Sequence, residues 1–188
     1  MPLRELLDSY NPIEALQKAL NYQQPEELPP NLIKQPEPPK TTRTLLSEIE
    51  KEFPVIKPGT LLAVMAKETG GTVDPIKAVS STGARGPFQH MPDFIKEHKI
   101  TDPTNLEDAA RGTARALSSL NKRFNGDWAK TFAAYHSGTT RVLREGLTNL
   151  GPVGKQYYQD ILAHLSDPNK EIKVSKPFKR FLDNPIKE

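Results

Sequence analysis

The chain has 188 residues, of which 36% are hydrophobic and 26% are charged, a composition that suits one globular domain with flanking segments. It contains no cysteine, which excludes disulfide bonds and thiolate metal sites. The formal net charge is +3 and no stretch is polybasic, so the charge does not indicate nucleic acid as a partner.

Residues 1–40 are predicted to form an arm that precedes the domain. Apolar residues at helical spacing over 3–20 predict a short helical segment, interrupted at Asn11 and Pro12. The six prolines from Pro25 to Pro39 then predict an extended linker. The charged N-terminus lacks the apolar segment of a secretory signal peptide, and no run of about 18 apolar residues predicts a membrane span.

A mainly α-helical domain is predicted over residues 41–166. Its clearest helix follows Thr104, which we predict as the N-cap of a capping box with Glu107. The loop over residues 70–87 is rich in glycine, serine and threonine and leaves room for a short hairpin at most. Further helices are predicted over 44–53, 60–69, 128–135 (capped by Asp127) and 155–166, with a short one opening at Pro92 and Asp93.

Residues 167–188 form a basic segment interrupted by prolines. We predict a tail that lies on the domain surface. The alternative is a dedicated binding arm.

A single carboxylate ends the helix in the stretch "LLAVMAKETGG". Glu68 follows apolar residues by three, four and seven positions, so it shares their face of the helix. Partial burial and the negative end of the helix dipole both raise the pKa of a carboxyl group there, which favours a general acid. Gly70 and Gly71 are predicted to leave room for a ligand. The alternative is a glutamate that turns to solvent or caps a loop amide.

Three segments in order resemble the soluble lytic transglycosylase family, whose catalytic domain has a goose-lysozyme-like fold. They are "ETGGTVDPIKAVSSTGARGPFQHMP", "DPTNLEDAARGTARALSSLNKRFNGDWAKTFAAYHSG" and "GPVGKQYYQDI", and the resemblance covers about residues 44–166. It implies cleavage of the β-1,4 bond between N-acetylmuramic acid and N-acetylglucosamine in peptidoglycan. One glutamate acts as acid and then as base, and the product carries a 1,6-anhydromuramic end.

The resemblance also implies roles for individual residues. Glu68 matches the catalytic acid. His136 stands where the family has asparagine, and Phe88 stands where methionine is usual. Thr69, Pro87, Val153 and Gly154 also depart from the usual pattern. The residues expected to bind substrate are Ser80, Gly86, Phe88, Gln89, Tyr135, His136 and Tyr157, with Gly83 in the same loop.

The amino-acid sequence leaves two other functions open. A hydrolase of the same fold needs a second carboxylate, for which Asp74, Asp93 and Asp102 are the candidates. A catalytically silent component of a virion or secretion machine would keep the fold without the activity. The four histidines lack the spacing of metal ligands, so neither metal nor organic cofactor is expected.

The expected partners are peptidoglycan strands, and no nucleic acid. A virion or envelope-machine partner would bind through residues 1–40. The expected place of action is the periplasm or cell wall. Without a recognisable signal peptide, we expect virion association or delivery by a route other than the general secretory pathway.

Overall fold

The computed structural model describes Ile13, residues 39–167 and residues 173–186. The chain divides into two units, Met1–Pro38 and Pro39–Glu188. Of the first unit only Ile13 is described, so the predicted helical segment and linker lie outside the described residues, apart from the last two positions of the arm.

The second unit is built from helices. Isolated bridges join its loops, and no strand forms among residues 39–167 and 173–186. The predicted mainly α class is confirmed. None of the described helices combines the length and apolar character needed to cross a membrane. The helices are α1 (Thr42–Glu52), α2 (Thr60–Thr69), α3 (Pro92–Glu97), α4 (Leu106–Arg123), α5 (Trp128–Ser137), α6 (Thr139–Glu145), α7 (Pro152–Ser166) and α8 (Lys176–Asp183).

Helix α2 lies at the centre of the core. Its residues Leu61, Ala63, Val64 and Met65 are at most 1% exposed, and the helix packs against α1, α4 and α7. Apolar residues occupy nearly its whole circumference, which is the pattern of a helix buried on all sides. Full burial of Leu61, Val64 and Met65 contributes about 1.5–3 kcal/mol each, which holds α2 firmly in the core.

The start of α4 differs from the prediction. The N-cap is Asn105, whose side chain accepts a hydrogen bond from Asp108 N at 3.0 Å. Thr104 instead donates from both its backbone N and its Oγ1 to Asp102 Oδ1, in a turn that precedes the helix. The predicted capping box is therefore wrong, because the Thr104 hydroxyl is hydrogen-bonded to Asp102 and does not cap the helix. The predicted cap at Asp127 is confirmed by its bond from Lys130 N.

The predicted surface tail is also wrong over its described part. Residues 176–183 form α8, which buries Phe178 and Leu182 in the main core. Thr42 Oγ1 donates to Phe181 O at 3.1 Å, so α8 is fastened to α1. The physical reason is the i, i+4 spacing of two large apolar residues, which gives this short basic segment an apolar face.

Candidate active site

Glu68 lies in the last turn of α2, and the two ends of this helix are held differently. At the first turn, Gly59 N and Leu61 N donate to the two carboxylate oxygens of Glu50, at 2.8 and 2.7 Å. Glu50 therefore replaces the side-chain cap that Gly59 cannot supply. At the last turn, Glu68 is partly buried and keeps its carboxyl group at the edge of the core.

One phenol holds the carboxyl group of Glu68. Tyr157, on α7, donates from its hydroxyl to Glu68 Oε1 at 2.7 Å. Burial raises the pKa of Glu68 to about 7, and the Tyr157 hydrogen bond and the charge of Lys67 oppose this rise. Lys67 is itself paired with Asp160 at 2.7 Å. The raised pKa confirms the expectation from sequence and leaves a substantial fraction of Glu68 protonated at neutral pH.

Tyr135 lies near the same carboxyl group. Its pKa is raised well above the ordinary range, by burial first and then by the charge of Glu68. Its hydroxyl is 3.5 Å from both Phe88 O and Thr113 Oγ1. Thr113 in turn bonds to Nε2 of His90 at 2.8 Å, and burial lowers the pKa of His90 to about 3, so this histidine is neutral. No motif or spacing in the sequence indicates this link from Tyr135 to a neutral buried imidazole.

The glycine-containing loop holds itself together by its own polar groups. Ser80 Oγ accepts from Ala84 N at 3.0 Å and pairs with the Thr82 hydroxyl at 2.8 Å. The amide of Gln89 donates to Gly86 O at 2.9 Å and to a second loop carbonyl. Gly86 has a φ of 74° and no room for a side chain, because a Cβ would strike the carbonyl of Pro103. The structure thus gives these residues defined positions within the loop.

The Phe88 side chain is buried, whereas the resemblance implies that it binds substrate. Its side chain is 1% exposed and stacks on the His90 ring, with ring centroids 5.9 Å apart. Only its carbonyl points toward the site, where it faces Tyr135. The neighbouring carbonyl of Pro87 accepts a hydrogen bond from Thr69 Oγ1 at 2.9 Å, which ties the loop to the end of α2.

Tyr157 is also not a substrate-facing residue in this conformation. It is 4% exposed, and its hydroxyl is bonded to Glu68. The imidazole of His136 stacks on its ring at a centroid distance of 4.3 Å, and His136 is exposed to solvent. His136, and not Tyr157, therefore presents a ring to the surface here.

Gly70 and Gly71 differ in the space they leave. Gly70 is buried, and a Cβ there would lie 2.8 Å from Val174 Cγ1, so the prediction of room for a ligand is wrong at this position. A Cβ at Gly71 would have no neighbour within 4 Å. Gly71 is exposed, and open space beside the candidate acid remains at that residue.

The three carboxylates considered as partners of Glu68 are used elsewhere. Asp74 accepts from Lys77 N at 3.3 Å, Asp102 bonds to Thr104, and Asp93 lies in the first turn of α3. Within the described ranges, none of the three bonds to Glu68 or shifts its pKa. The same ranges hold no group of three or more histidine, aspartate or glutamate side chains placed to bind a metal ion.

The sequence around this site matches a known protein family. The model of the family described as "Transglycosylase SLT domain" matches residues 46–155. This chain belongs to the SLT transglycosylase family. The matched part of the SLT domain includes Glu68, the glycine-containing loop and Tyr135, whereas Tyr157 and α8 lie beyond it.

The SLT domain is also similar to curated proteins and to a solved structure. The membrane-bound lytic murein transglycosylase D of Escherichia coli strain K12 is 36% identical over 78 residues, which cover 38% of this chain and 17% of that protein. The protein of the same name from an Escherichia coli O6:H1 strain gives the same values. The chain thus spans about a sixth of these relatives. An inactive mutant of the lytic transglycosylase Slt from Pseudomonas aeruginosa has a similar fold, with a TM-score of 0.55 and 20% identity, covering 71% of this chain and 25% of that one.

Proposed function

We propose that this SLT domain cleaves the β-1,4 bond between N-acetylmuramic acid and N-acetylglucosamine in peptidoglycan and leaves a 1,6-anhydromuramic end. The observation that carries the proposal is the carboxyl group of Glu68, whose pKa of about 7 suits both proton donation and proton acceptance near neutral pH. Family membership supplies the class of substrate.

The reaction needs one residue that changes its protonation state twice. Protonated Glu68 donates its proton to the glycosidic oxygen as the bond from that oxygen to C1 of muramic acid breaks. The Glu68 carboxylate then accepts the proton of the muramic C6 hydroxyl, whose oxygen forms the new bond to C1. Atoms and protons balance without water, and Glu68 ends the cycle protonated. The Tyr157 hydroxyl stabilises the carboxylate between the two steps.

The proposed roles of the other residues follow from their placement. Ser80, Gly86, Gln89 and Tyr135 position or contact the glycan, and His136 offers an exposed ring and donor to the sugar. Phe88 and Tyr157 act from behind the site, because their side chains are 1% and 4% exposed. Tyr157 is in this sense a positioning residue for Glu68.

Transglycosylation is favoured over hydrolysis by the arrangement of acids. A hydrolase with two carboxylates places the second where it can activate water or attack the sugar. Among the described residues, Asp74, Asp93 and Asp102 are engaged in turns or at a helix start, away from any bond to Glu68. The C6 hydroxyl of the substrate takes the place of water in the proposed reaction.

The biological setting that we propose is local opening of the bacterial cell wall, as a virion-associated or injected enzyme acting in the periplasm. The support is the proline-rich composition of residues 1–40, which suits a tether to a larger assembly. Deletion of residues 1–40 is expected to leave activity on isolated walls and to abolish incorporation into the particle. Unchanged incorporation would exclude the tether.

A muropeptide digest tests the activity directly. Purified peptidoglycan is incubated with the wild type, with Glu68→Gln and with Glu50→Gln, the matched change at the glutamate that caps the other end of α2. Mass spectrometry is expected to find ends lighter by one water with the wild type and Glu50→Gln, and none with Glu68→Gln. Reducing ends that depend on Glu68 would identify a hydrolase. Sugar binding without cleavage would identify a silent component.

A further inference from the structure

A segment near the C-terminus packs against the turn that follows Glu68. Ser175 N donates to Gly70 O at 2.8 Å, and Ser175 Oγ lies 3.3 Å from Thr72 O. The side chain of Val174 lies so close to Gly70 that a Cβ at position 70 would be 2.8 Å from Val174 Cγ1. Two consecutive residues therefore meet the turn by backbone, hydroxyl and apolar contact.

The same segment is firmly anchored on its other side. Ser175 Oγ accepts a hydrogen bond from Phe178 N at 3.2 Å, and so caps α8. Phe178 and Leu182 are 0% and 2% exposed in the core, and Thr42 bonds to Phe181 O. An anchored helix can hold the turn in place, whereas a loose tail could only touch it.

We propose that Val174 and Ser175 are positioning residues for Glu68, acting by holding the turn of residues 70–72 against the end of α2. These residues lie outside the part of the chain that matches the family, residues 46–155, so the family comparison assigns them no role. The inference deepens the proposed function and rests on it wherever activity is the readout.

Contact with the C-terminal segment matters most at the end of a helix, where the backbone can fray. The last carbonyls of a helix have no partner within it, and two successive glycines after Thr69 restrain the chain little. Ser175 N supplies the donor for one of these carbonyls, that of Gly70. Fraying of this turn would move the Glu68 carboxyl group, and small displacements of a reacting group reduce rate strongly.

Fraying would also admit water to Glu68. The groups that face its carboxyl are Tyr157 from α7, Tyr135 from α5 and Lys67 from α2, with Lys67 paired to Asp160. None of these groups belongs to the C-terminal segment. Loss of the segment's contact should therefore change the burial of Glu68 while its charged and hydroxyl neighbours stay the same.

The sharpest variant is Ser175→Pro, with Ser175→Ala as its matched control. Ser175 has a φ of −66°, which proline adopts, so the substitution removes the N–H donor to Gly70 with little change of backbone angle. Both variants lose the hydroxyl that caps α8 and approaches Thr72 O. The difference between them reports the hydrogen bond from Ser175 N to Gly70 O.

Two readouts are made on the full chain. The first is steady-state cleavage of purified peptidoglycan, and the second is a ¹³C titration of the Glu68 carboxyl, assigned with Glu68→Gln. Relative to Ser175→Ala, we expect Ser175→Pro to lower kcat about tenfold with KM within about twofold, and to lower the Glu68 titration midpoint by about one pH unit. Equal kcat and equal midpoints in two folded variants would overturn the proposal.

The two proposals fail in distinguishable ways. If the wild type does not cleave peptidoglycan, the proposed function fails, and the titration still decides whether the segment positions Glu68. If Ser175→Pro does not fold, Val174→Ala replaces it, with Val55→Ala as the matched control, because Val55 is 43% exposed and belongs neither to the segment nor to its anchor. A lower midpoint in Val174→Ala than in Val55→Ala supports the proposal, and equal midpoints overturn it.

Discussion

Glu50 and Glu68 lie near opposite ends of α2, and the proposed function gives them opposite tasks. Burial raises the pKa of Glu50 and of Glu68. Both carboxylate oxygens of Glu50 accept backbone N–H groups, at the positive end of the helix. Glu68 has one phenol donor and lies at the negative end. Burial alone therefore does not distinguish the two carboxyl groups, whereas the number and kind of their hydrogen-bond donors do.

The difference also concerns access. Glu50 is 5% exposed, and both of its oxygens are engaged inside the fold. Glu68 is partly exposed, and among the described residues no group donates to its Oε2. The proposed proton transfer needs a carboxyl oxygen that the substrate can reach, and of these two glutamates Glu68 is the more exposed.

The largest expected effect is the contrast in activity between Glu68→Gln and Glu50→Gln. A glutamine at position 68 cannot transfer a proton, so we expect a loss of about 10³-fold or more in kcat/KM. Glu50→Gln is expected to stay within about threefold of the wild type, because its carboxylate takes no part in proton transfer. Release of soluble muropeptides from purified peptidoglycan measures both, at a temperature where both variants are folded. Comparable losses in the two variants would contradict the division of tasks.

The next effect is a contrast in stability at pH 8. Glu50→Gln is expected to lower the free energy of unfolding by about 1–3 kcal/mol, since the amide cannot accept from both N–H groups as a carboxylate does. Glu68→Gln is expected to raise it by about 2–3 kcal/mol, because the variant no longer ionises a buried carboxyl group. Urea denaturation measures both values.

The pH dependence of stability tests the gain in free energy of unfolding that is expected for Glu68→Gln. The pKa of Glu68 is raised from 4.5 to about 7, so its stabilising contribution is complete below about pH 4.5 and is lost as the pH rises to about 7. The gain from Glu68→Gln should therefore appear at pH 8 and be small at pH 4. A gain of equal size at both pH values would show that it arises from something other than ionisation.

The smallest effect is expected for Tyr157→Phe. Activity of the wild type should fall above about pH 7, where Glu68 loses its proton. Removal of the phenol hydroxyl removes a hydrogen bond that lowers the pKa of Glu68, so the alkaline limb should move up by about half to one pH unit. A pH profile of kcat measures the shift, and a downward movement would contradict the assigned role of Tyr157.

The sequence could predict features that depend on local spacing. The position of Glu68 on an apolar helix face and the direction of its pKa shift both follow from offsets of three to seven residues. The cap at Asp127 is equally local. At α4, by contrast, Thr104 and Asn105 are adjacent residues that both cap helices well, and the bond to Asp102 decides between them.

Features that depend on distant contacts could not be predicted. Glu50 caps a helix that begins ten residues further along the chain, and the pairing of Thr42 with Phe181 spans 139 residues. Phe88 and Tyr157 match residues expected at the substrate, yet their side chains turn inward, because His90 and Glu68 provide their partners. A motif fixes which residue is present and leaves open which way its side chain points.

The position of α8 has a consequence for protein engineering. A domain exchange that joins partner chains at the limits of the family match would carry over residues 46–155 and leave behind Phe178, Leu182 and Ser175. The recipient would receive the acid without the C-terminal helix that completes the core around it. A chimera should instead be joined before residue 39 and after residue 186, so that the first and last described segments of the unit travel together.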